Sequence, residues 1–231
     1  MAPTKFYGSG FPYKKTKILP GKLIVVEGTD GVGRSTQINL LRKWLEKSGY
    51  AVSDTGLRRS PLTQPGIEEA KGGNTLSPLT NSLFYATDFA DRLENQIIPA
   101  LKAGFIVLSD RYFYSIIARD VLRGIDPSWA RDIYGFALVP DMILYLKADI
   151  NTLVTRIVHG RGFNYWEAGM DILKMDNMYD SFREYQTRMI EQFDIMAKEF
   201  NFHIINANHS IKITNNEIMT NIQPILDEYN K

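Results

Sequence analysis

Cysteine is absent from this sequence. Without a thiol there is no disulfide framework, no thiolate metal site and no cysteine nucleophile, a composition that suits a reducing compartment. An excess of one charge is missing too: 27 Lys plus Arg face 26 Asp plus Glu, for a formal net charge of +1. Nothing global therefore draws the chain to nucleic acid or to an anionic membrane, and any anion site must arise from local clustering. Long hydrophobic runs are also lacking. The apolar stretches are strand-sized, far short of the roughly 20 residues that span a bilayer. The opening "MAPTKFYGSGFPYKKTKILPG" has no apolar core of signal-peptide length. These absences lead us to expect a cytoplasmic protein with no nucleic-acid or membrane partner.

What is present is material for one core: 231 residues, 44% hydrophobic, with 12 Phe and 12 Tyr. That length and composition suit a single α/β domain. Residues 1–20, rich in Pro, Gly, Lys and aromatics, read as an N-terminal extension to a domain over 21–231. Lys14, Lys15 and Lys17 offer either a basic arm or part of a strapped or flexible tail. From Lys22 the pattern is regular. Strands are expected over 22–28, 51–57, 105–110, 141–148 and 202–207. Helices are expected over 35–50, over 77–104 as one or two pieces, over 128–138, 150–162 and 171–200, and from Ile211 onward. The alternation implies a five-stranded parallel sheet covered by helices on both faces, a three-layer α/β fold.

In such a sheet, ligands gather beyond the carboxyl ends of the strands. One of these ends carries "VVEGTDGVGRST" (25–36), between a buried strand and a helix. Gly28, Gly31 and Gly33 let the backbone turn tightly and aim its N–H groups at an anion, and the helix adds the positive end of its dipole. Ser35 can offer its hydroxyl to a Mg²⁺ ion bridging phosphates. The pattern G-x-x-x-x-G-K-[ST] fails at one position, where Arg34 replaces lysine. The charge is kept, but a planar fork takes the place of a compact point charge.

With "SDRYFYS" (109–115), "IIPALKAGFIVLSDRY", "PDMILYLKAD" and "TRIVHGRG", this ordered set resembles the thymidylate kinase family of nucleoside monophosphate kinases from about Lys22 onward. The resemblance implies the P-loop kinase fold, ATP and Mg²⁺ as cofactors, a nucleoside monophosphate acceptor, a homodimer, and a lid at about 159–170. It assigns Gly28, Gly31, Val32, Gly33, Arg34, Ser35, Thr36 and Arg156 to ATP, and Ser35 and Asp110 to the metal. Asp30, Arg59, Tyr85, Phe89, Arg111 and Tyr112 fall to the acceptor, with Arg58 as the alternative to Arg59. Asp30, Arg34, Arg111 and Arg161 form the catalytic set. Tyr85 stands where the family stacks a phenylalanine on the base, although a core aromatic is the alternative.

Four departures bear on the acceptor. Besides Arg34, the family's base-reading arginine, four residues after the stacking aromatic, is here Phe89, with Arg92 the nearest arginine. A second register makes Phe84 the stacking residue and puts Asp88 in the arginine's place. The lid carries "NYWE" (164–167), and Ser60 replaces an acid. The expected activity is ATP-dependent phosphorylation of a nucleoside monophosphate, dTMP by default. A different small acceptor and a nucleotide-binding regulator without turnover are the alternatives.

Overall fold

The computed structural model describes residues 4–13, 18–73 and 76–229. Strands β1 (Lys22–Gly28), β2 (Val52–Gly56), β3 (Ile106–Asp110), β4 (Met142–Lys147) and β5 (His203–Asn206) form one parallel sheet in the order β2-β3-β1-β4-β5. The central strand β1 reads LIVV at its middle and is buried on both faces, as a covered parallel sheet demands. The expected three-layer α/β fold is observed.

One face is covered by α1 (Arg34–Lys47), α7 (Ile150–Val158) and α10 (Ile211–Tyr229), whose apolar sides meet Ile24, Val26, Leu108 and Leu144. The other face carries α3 (Pro78–Arg92), α5 (Phe113–Leu122) and α9 (Met178–Glu199) over Val25, Val107, Ile143 and Tyr145. Three shorter helices complete the order: α2 (Gln64–Gly72), α4 (Ile98–Lys102) and α6 (Pro127–Asp132). Local chemistry sets several boundaries. Asp149 and Asn177 each accept from the backbone N–H three residues on, at 2.8 Å, and so start α7 and α9. Between α3 and α4 the rod continues through a π-helical turn, Leu93–Ile97, just before Pro99, which has no N–H to return to the preceding turn. The segment 77–104 is thus one continuous rod.

Three differences from the sequence reading have physical causes. Helix α5 lies outside the expected helices; it is buried along nearly its whole length, Ser115 and Asp120 included. Helix α9 starts at Met178, where Asn177 caps it; a single turn, Met170–Leu173, precedes it. The expected helix over 128–138 stops after Asp132, and Tyr134 and Leu138 turn into the core.

The N-terminal extension is strapped down where it is described. Tyr7 N–H donates to Ala137 O at 3.0 Å, and the Tyr7 ring packs on Phe113, Tyr114 and Phe200. Lys14, Lys15 and Lys17 lie outside the described residues.

Two residues expected at the acceptor wall are core residues instead. Phe89 is fully buried, 4.7 Å from the Tyr112 ring and in contact with Phe113, Tyr134 and Phe136. Tyr112 is equally buried and donates its hydroxyl to Leu138 O at 3.1 Å. Helical geometry explains it: Phe89 lies on the stripe of α3 that faces α5. Arg92 is no stand-in, being fully buried in an ion pair with Asp88 at 2.9 Å. Phe89→Arg would bury a second guanidinium among aromatic rings, and expression of that variant should give no cooperative thermal transition.

Asp120 marks a further buried strain. Its Oδ2 accepts from Ser82 Oγ, while its Oδ1 has no hydrogen-bond partner. Burial pushes its pKa from 3.8 up to about 6, against the partial relief of Ser82 and Arg123. A carboxyl whose pKa is higher folded than unfolded loses stability as pH rises through that interval. Asp120→Asn should therefore raise the unfolding free energy near pH 7.5 by on the order of 2 kcal/mol, read by urea titration, and the gain should fade near pH 4. An equal gain at both pH values would contradict this account.

Candidate active site

The loop from β1 into α1 holds its shape through three glycines with positive φ, at 147° for Gly28, 83° for Gly31 and 100° for Gly33. At Gly28 a Cβ would stand 2.6 Å from Leu146 O, so the loop lies directly on β4. Arg34, opening α1, turns back beneath this loop. Its Nη1 donates to Gly28 O at 2.7 Å and to Thr29 O, and its Nε donates to Asp110 Oδ1 at 2.9 Å. Ser35 Oγ donates to the other oxygen, Asp110 Oδ2, at 3.0 Å. Burial alone would raise the Asp110 pKa, but Arg34 and Arg111 hold it below the ordinary carboxylate range.

Asp30, inside the loop, is the hub. Arg111 Nη2 donates to its Oδ1, and Arg119 Nη2 to its Oδ2 at 3.4 Å. Arg34 Nη2 stands 4.0 Å from the same carboxylate. Gln186 on α9 accepts from the Asp30 N–H at 3.2 Å and donates to Oδ2 at 3.4 Å. Asp30 is buried, which raises its pKa, yet Arg111, Arg119 and Arg34 outweigh that and hold it well below the usual range.

Arg111 has φ 71°, a left-handed conformation uncommon for a side-chain-bearing residue. Neighbouring groups fix it there. Its N–H donates to Val26 O at 3.0 Å, and its Nη1 donates to Ser115 Oγ at 2.7 Å. Ser115 donates in turn to Glu27 Oε2, and Glu27 Oε1 accepts from Tyr112 N–H at 2.8 Å. Burial, followed by the nearby Arg34, pulls the Arg111 pKa down to about 10, which leaves it charged at neutral pH.

These groups line a cavity of about 550 Å³ at the carboxyl ends of β1 and β3, walled by seven arginines (34, 58, 59, 111, 119, 156, 161) and three acids (Asp30, Asp110, Glu167). That surplus suits a polyanion. Ser35 and Thr36 border it, as do Gly31 and Gly33. Arg156 sits at its edge, donating to Val32 O at 3.0 Å and to Ala207 O at 2.7 Å. Val32 turns its side chain into the core. Arg161 pairs with Glu167 and is exposed, while Arg59 pairs with Asp54 at 2.8 Å. A second cavity of about 410 Å³ adjoins the first and shares Arg58, Arg119, Arg161 and Glu167 with it. Lys71, Asn81, Tyr85, Arg123 and Trp166 also line it, with Glu68, Gly72 and Asn164 completing the wall.

Of the expected residues, the first cavity gathers Asp30, Arg34, Ser35, Asp110, Arg111, Arg59, Arg156 and Arg161, and the second takes Tyr85. Gly28, Val32, Phe89 and Tyr112 line neither. The sequence reading missed Arg119 on α5 and Arg123, which caps the C-terminus of that helix, because α5 lies outside the expected helices. It missed Lys71 with α2, and Gln186, which a long amphipathic helix does not set apart from its neighbours. Asp88 also has a role that spacing does not reveal. It accepts from Arg58 N–H at 3.1 Å and Ser60 N–H at 3.0 Å, and so pins the loop after β2 onto α3. Ser60, standing where an acid was expected, donates to Asp91.

A hydroxyl and a carboxylate 3.0 Å apart, Ser35 and Asp110, are hard oxygen donors of the kind Mg²⁺ takes. Among the described residues no cluster of three or more His, Cys, Asp or Glu could hold a metal. Two protein ligands with the rest left to phosphate and water fit Mg²⁺, which rarely uses an all-protein cage.

The sequence matches the family model described as thymidylate kinase over residues 26–218. It is 40% identical to a probable thymidylate kinase 2 of Saccharolobus solfataricus over 211 residues, covering 90% of this chain and 97% of that one. A probable thymidylate kinase of Thermococcus gammatolerans is 34% identical over 209 residues, 86% of this chain and 94% of that protein. The thymidylate kinase of Brachyspira hyodysenteriae is 29% identical over 168 residues, 72% of this chain and 83% of its own length. Together with the parallel sheet, the glycine loop and the arginine-walled cleft beyond the strand ends, these matches place the chain in the thymidylate kinase family of nucleoside monophosphate kinases.

Proposed function

We propose that this chain transfers the γ-phosphoryl group of ATP to dTMP, giving dTDP and ADP, with Mg²⁺ as cofactor. The observation that supports this most directly is the pair of joined cavities. One is arginine-walled at the glycine loop and the other opens from it under the lid segment, with Arg58, Arg119 and Arg161 bordering both. The donor phosphates lie against the loop amides and the N-terminus of α1. Ser35 and Asp110 would hold Mg²⁺, which would supply positive charge against the donor phosphates.

Arg111 and Arg119 hold the acceptor phosphate, and Asp30 keeps both guanidinium groups aimed and charged. An oxygen of the acceptor phosphate attacks the γ-phosphorus, the bond to the bridging oxygen breaks, and ADP leaves. Phosphoryl transfer needs positioning and electrostatic stabilisation rather than covalent help from the protein. Arg34 provides fixed positive charge beneath the reacting groups, and Arg161 provides it from the lid side. We also infer a cytoplasmic homodimer. Leu79 and Leu83, one turn apart and exposed on α3, are candidates for its contact, and a cysteine-free chain suits the reducing cytoplasm.

Wild-type protein incubated with ATP, Mg²⁺ and dTMP should release ADP and form dTDP. Binding of ATP with no transfer to any nucleoside monophosphate would refute the kinase reading. Arg34→Ala should lower kcat by about 100-fold or more, while Arg34→Lys should retain most of it. An unchanged rate in Arg34→Ala would remove Arg34 from the catalytic set.

Asp30→Asn should cost about 3–5 kcal/mol in urea unfolding at neutral pH, because it leaves buried arginines uncompensated. Since the wild-type carboxyl is held below its ordinary 3.8, the stability it gives is present above that pH and lost below it. The gap between variant and wild type should therefore narrow as pH falls through about 4.

A further inference from the structure

The second cavity contains a polar atom that lacks a partner. Asn81 Oδ1 is buried, lines this cavity and has no hydrogen-bond partner. An unpaired buried acceptor costs about 1–3 kcal/mol, a cost that a ligand's own polar edge removes. The same cavity holds a cation. The Lys71 Nζ stands 5.3 Å from the centroid of the Tyr85 ring and 5.2 Å from that of Trp166. The lysine is anchored by its backbone, since Trp166 Nε1 donates to Lys71 O at 3.2 Å and so ties the lid to α2.

Three of the cavity's other cations are engaged. Arg123 forks onto Asp171 at 2.9 and 3.2 Å and donates to the Tyr185 hydroxyl at 3.0 Å, Arg119 is held by Asp30, and Arg161 pairs with Glu167. Among the described residues, Arg58 and Lys71 have no carboxylate within ion-pair distance; Arg58 borders both cavities, and Lys71 is the one set against the Tyr85 and Trp166 rings. Its burial pulls the pKa below the ordinary lysine value, with the Tyr85 hydroxyl partly restoring it.

Resting on the reading of this cavity as the acceptor's, we propose that Lys71 is the residue that selects the acceptor base, in place of the arginine that Phe89 removes. The base enters between the rings of Tyr85 and Trp166, and the flexible lysine stem moves its ammonium from the ring faces to the edge of the base. Two features on that edge then match. Lys71 donates to a ring carbonyl, and Asn81 Oδ1 accepts from the adjacent ring N–H. Thymine and uracil present this carbonyl beside an N–H. Cytosine presents an amino group and an unprotonated nitrogen there.

Asn81 could turn its amide to suit either base, because it carries both a donor and an acceptor. Lys71 cannot. An ammonium has three donors and no acceptor, so facing an amino group leaves both groups unpaired in a buried site. The selection therefore rests on Lys71, with Asn81 secondary.

The test compares dTMP with dCMP as acceptors, using wild type, Lys71→Met, Lys71→Arg and Asn81→Ser. Each protein is read by kcat/KM and by direct titration of the two monophosphates against tryptophan fluorescence without ATP. Wild type should prefer dTMP by about 100-fold or more. Lys71→Met should lose at least about ten-fold of that preference, mainly through a higher KM for dTMP, while the KM for ATP stays unchanged. Lys71→Arg should keep most of the preference, and Asn81→Ser should lose less of it than Lys71→Met does. A folded Lys71→Met whose dTMP-to-dCMP ratio stays within two-fold of wild type overturns the proposal. If Lys71→Met fails to fold, a Lys71→Arg variant that loses the preference overturns it equally. Should wild type transfer no phosphoryl group, the kinase reading falls. The fluorescence titration then decides this proposal alone, since equal binding of dTMP and dCMP refutes it.

Discussion

The Asp30 carboxylate is the interaction on which the cleft depends. Three guanidinium groups converge on it from α1, α5 and the end of β3, and without an anion among them they would repel one another in a buried space. The hub also extends outward. Glu27, at the end of β1, holds Ser115 and the Tyr112 backbone, Ser115 receives Arg111, and Arg111 reaches Asp30. Two acids three residues apart on either side of a glycine thus brace the β1–α1 loop against α5. That bracing keeps Arg111 in its left-handed backbone conformation, and a preorganised charge is worth more to catalysis than a mobile one.

The fold was legible where burial is simple. Strands β1, β3 and β4 are continuous apolar runs because both faces of each are covered, and the loop after β1 declared itself through glycine spacing. The donor-side residues were legible for the same reason. They sit at strand ends, where sequence neighbours remain spatial neighbours. The acceptor side was not. Arg119, Lys71 and Gln186 reach the cleft from three helices, and which way each faces is decided by packing that no local pattern encodes. Phe89 shows the limit of reading by analogy: matching a family position fixes a residue's place on a helix but not its exposure.

Arg34 occupies a position that lysine fills in the usual loop, and it makes a different use of it. A lysine ends in a point charge that can reach out along the phosphates. The guanidinium instead lies flat under the loop, bonded to two of its carbonyls and to Asp110. Its fork therefore joins Asp110 to Asp30, 2.9 and 4.0 Å away respectively, in one rigid floor.

Asp88 carries a consequence of its own. By accepting from the backbone of Arg58 and Ser60 while holding Arg92, it fuses the loop after β2 to α3. With the acceptor placed as proposed, its two halves would meet a single rigid body rather than two hinged ones. Their affinities would be linked: each half would find its partner already placed at fixed effective concentration, so little ordering entropy would remain to be lost when the second half docked. Phosphate and base recognition, chemically unrelated, would become one cooperative event through a carboxylate that touches neither.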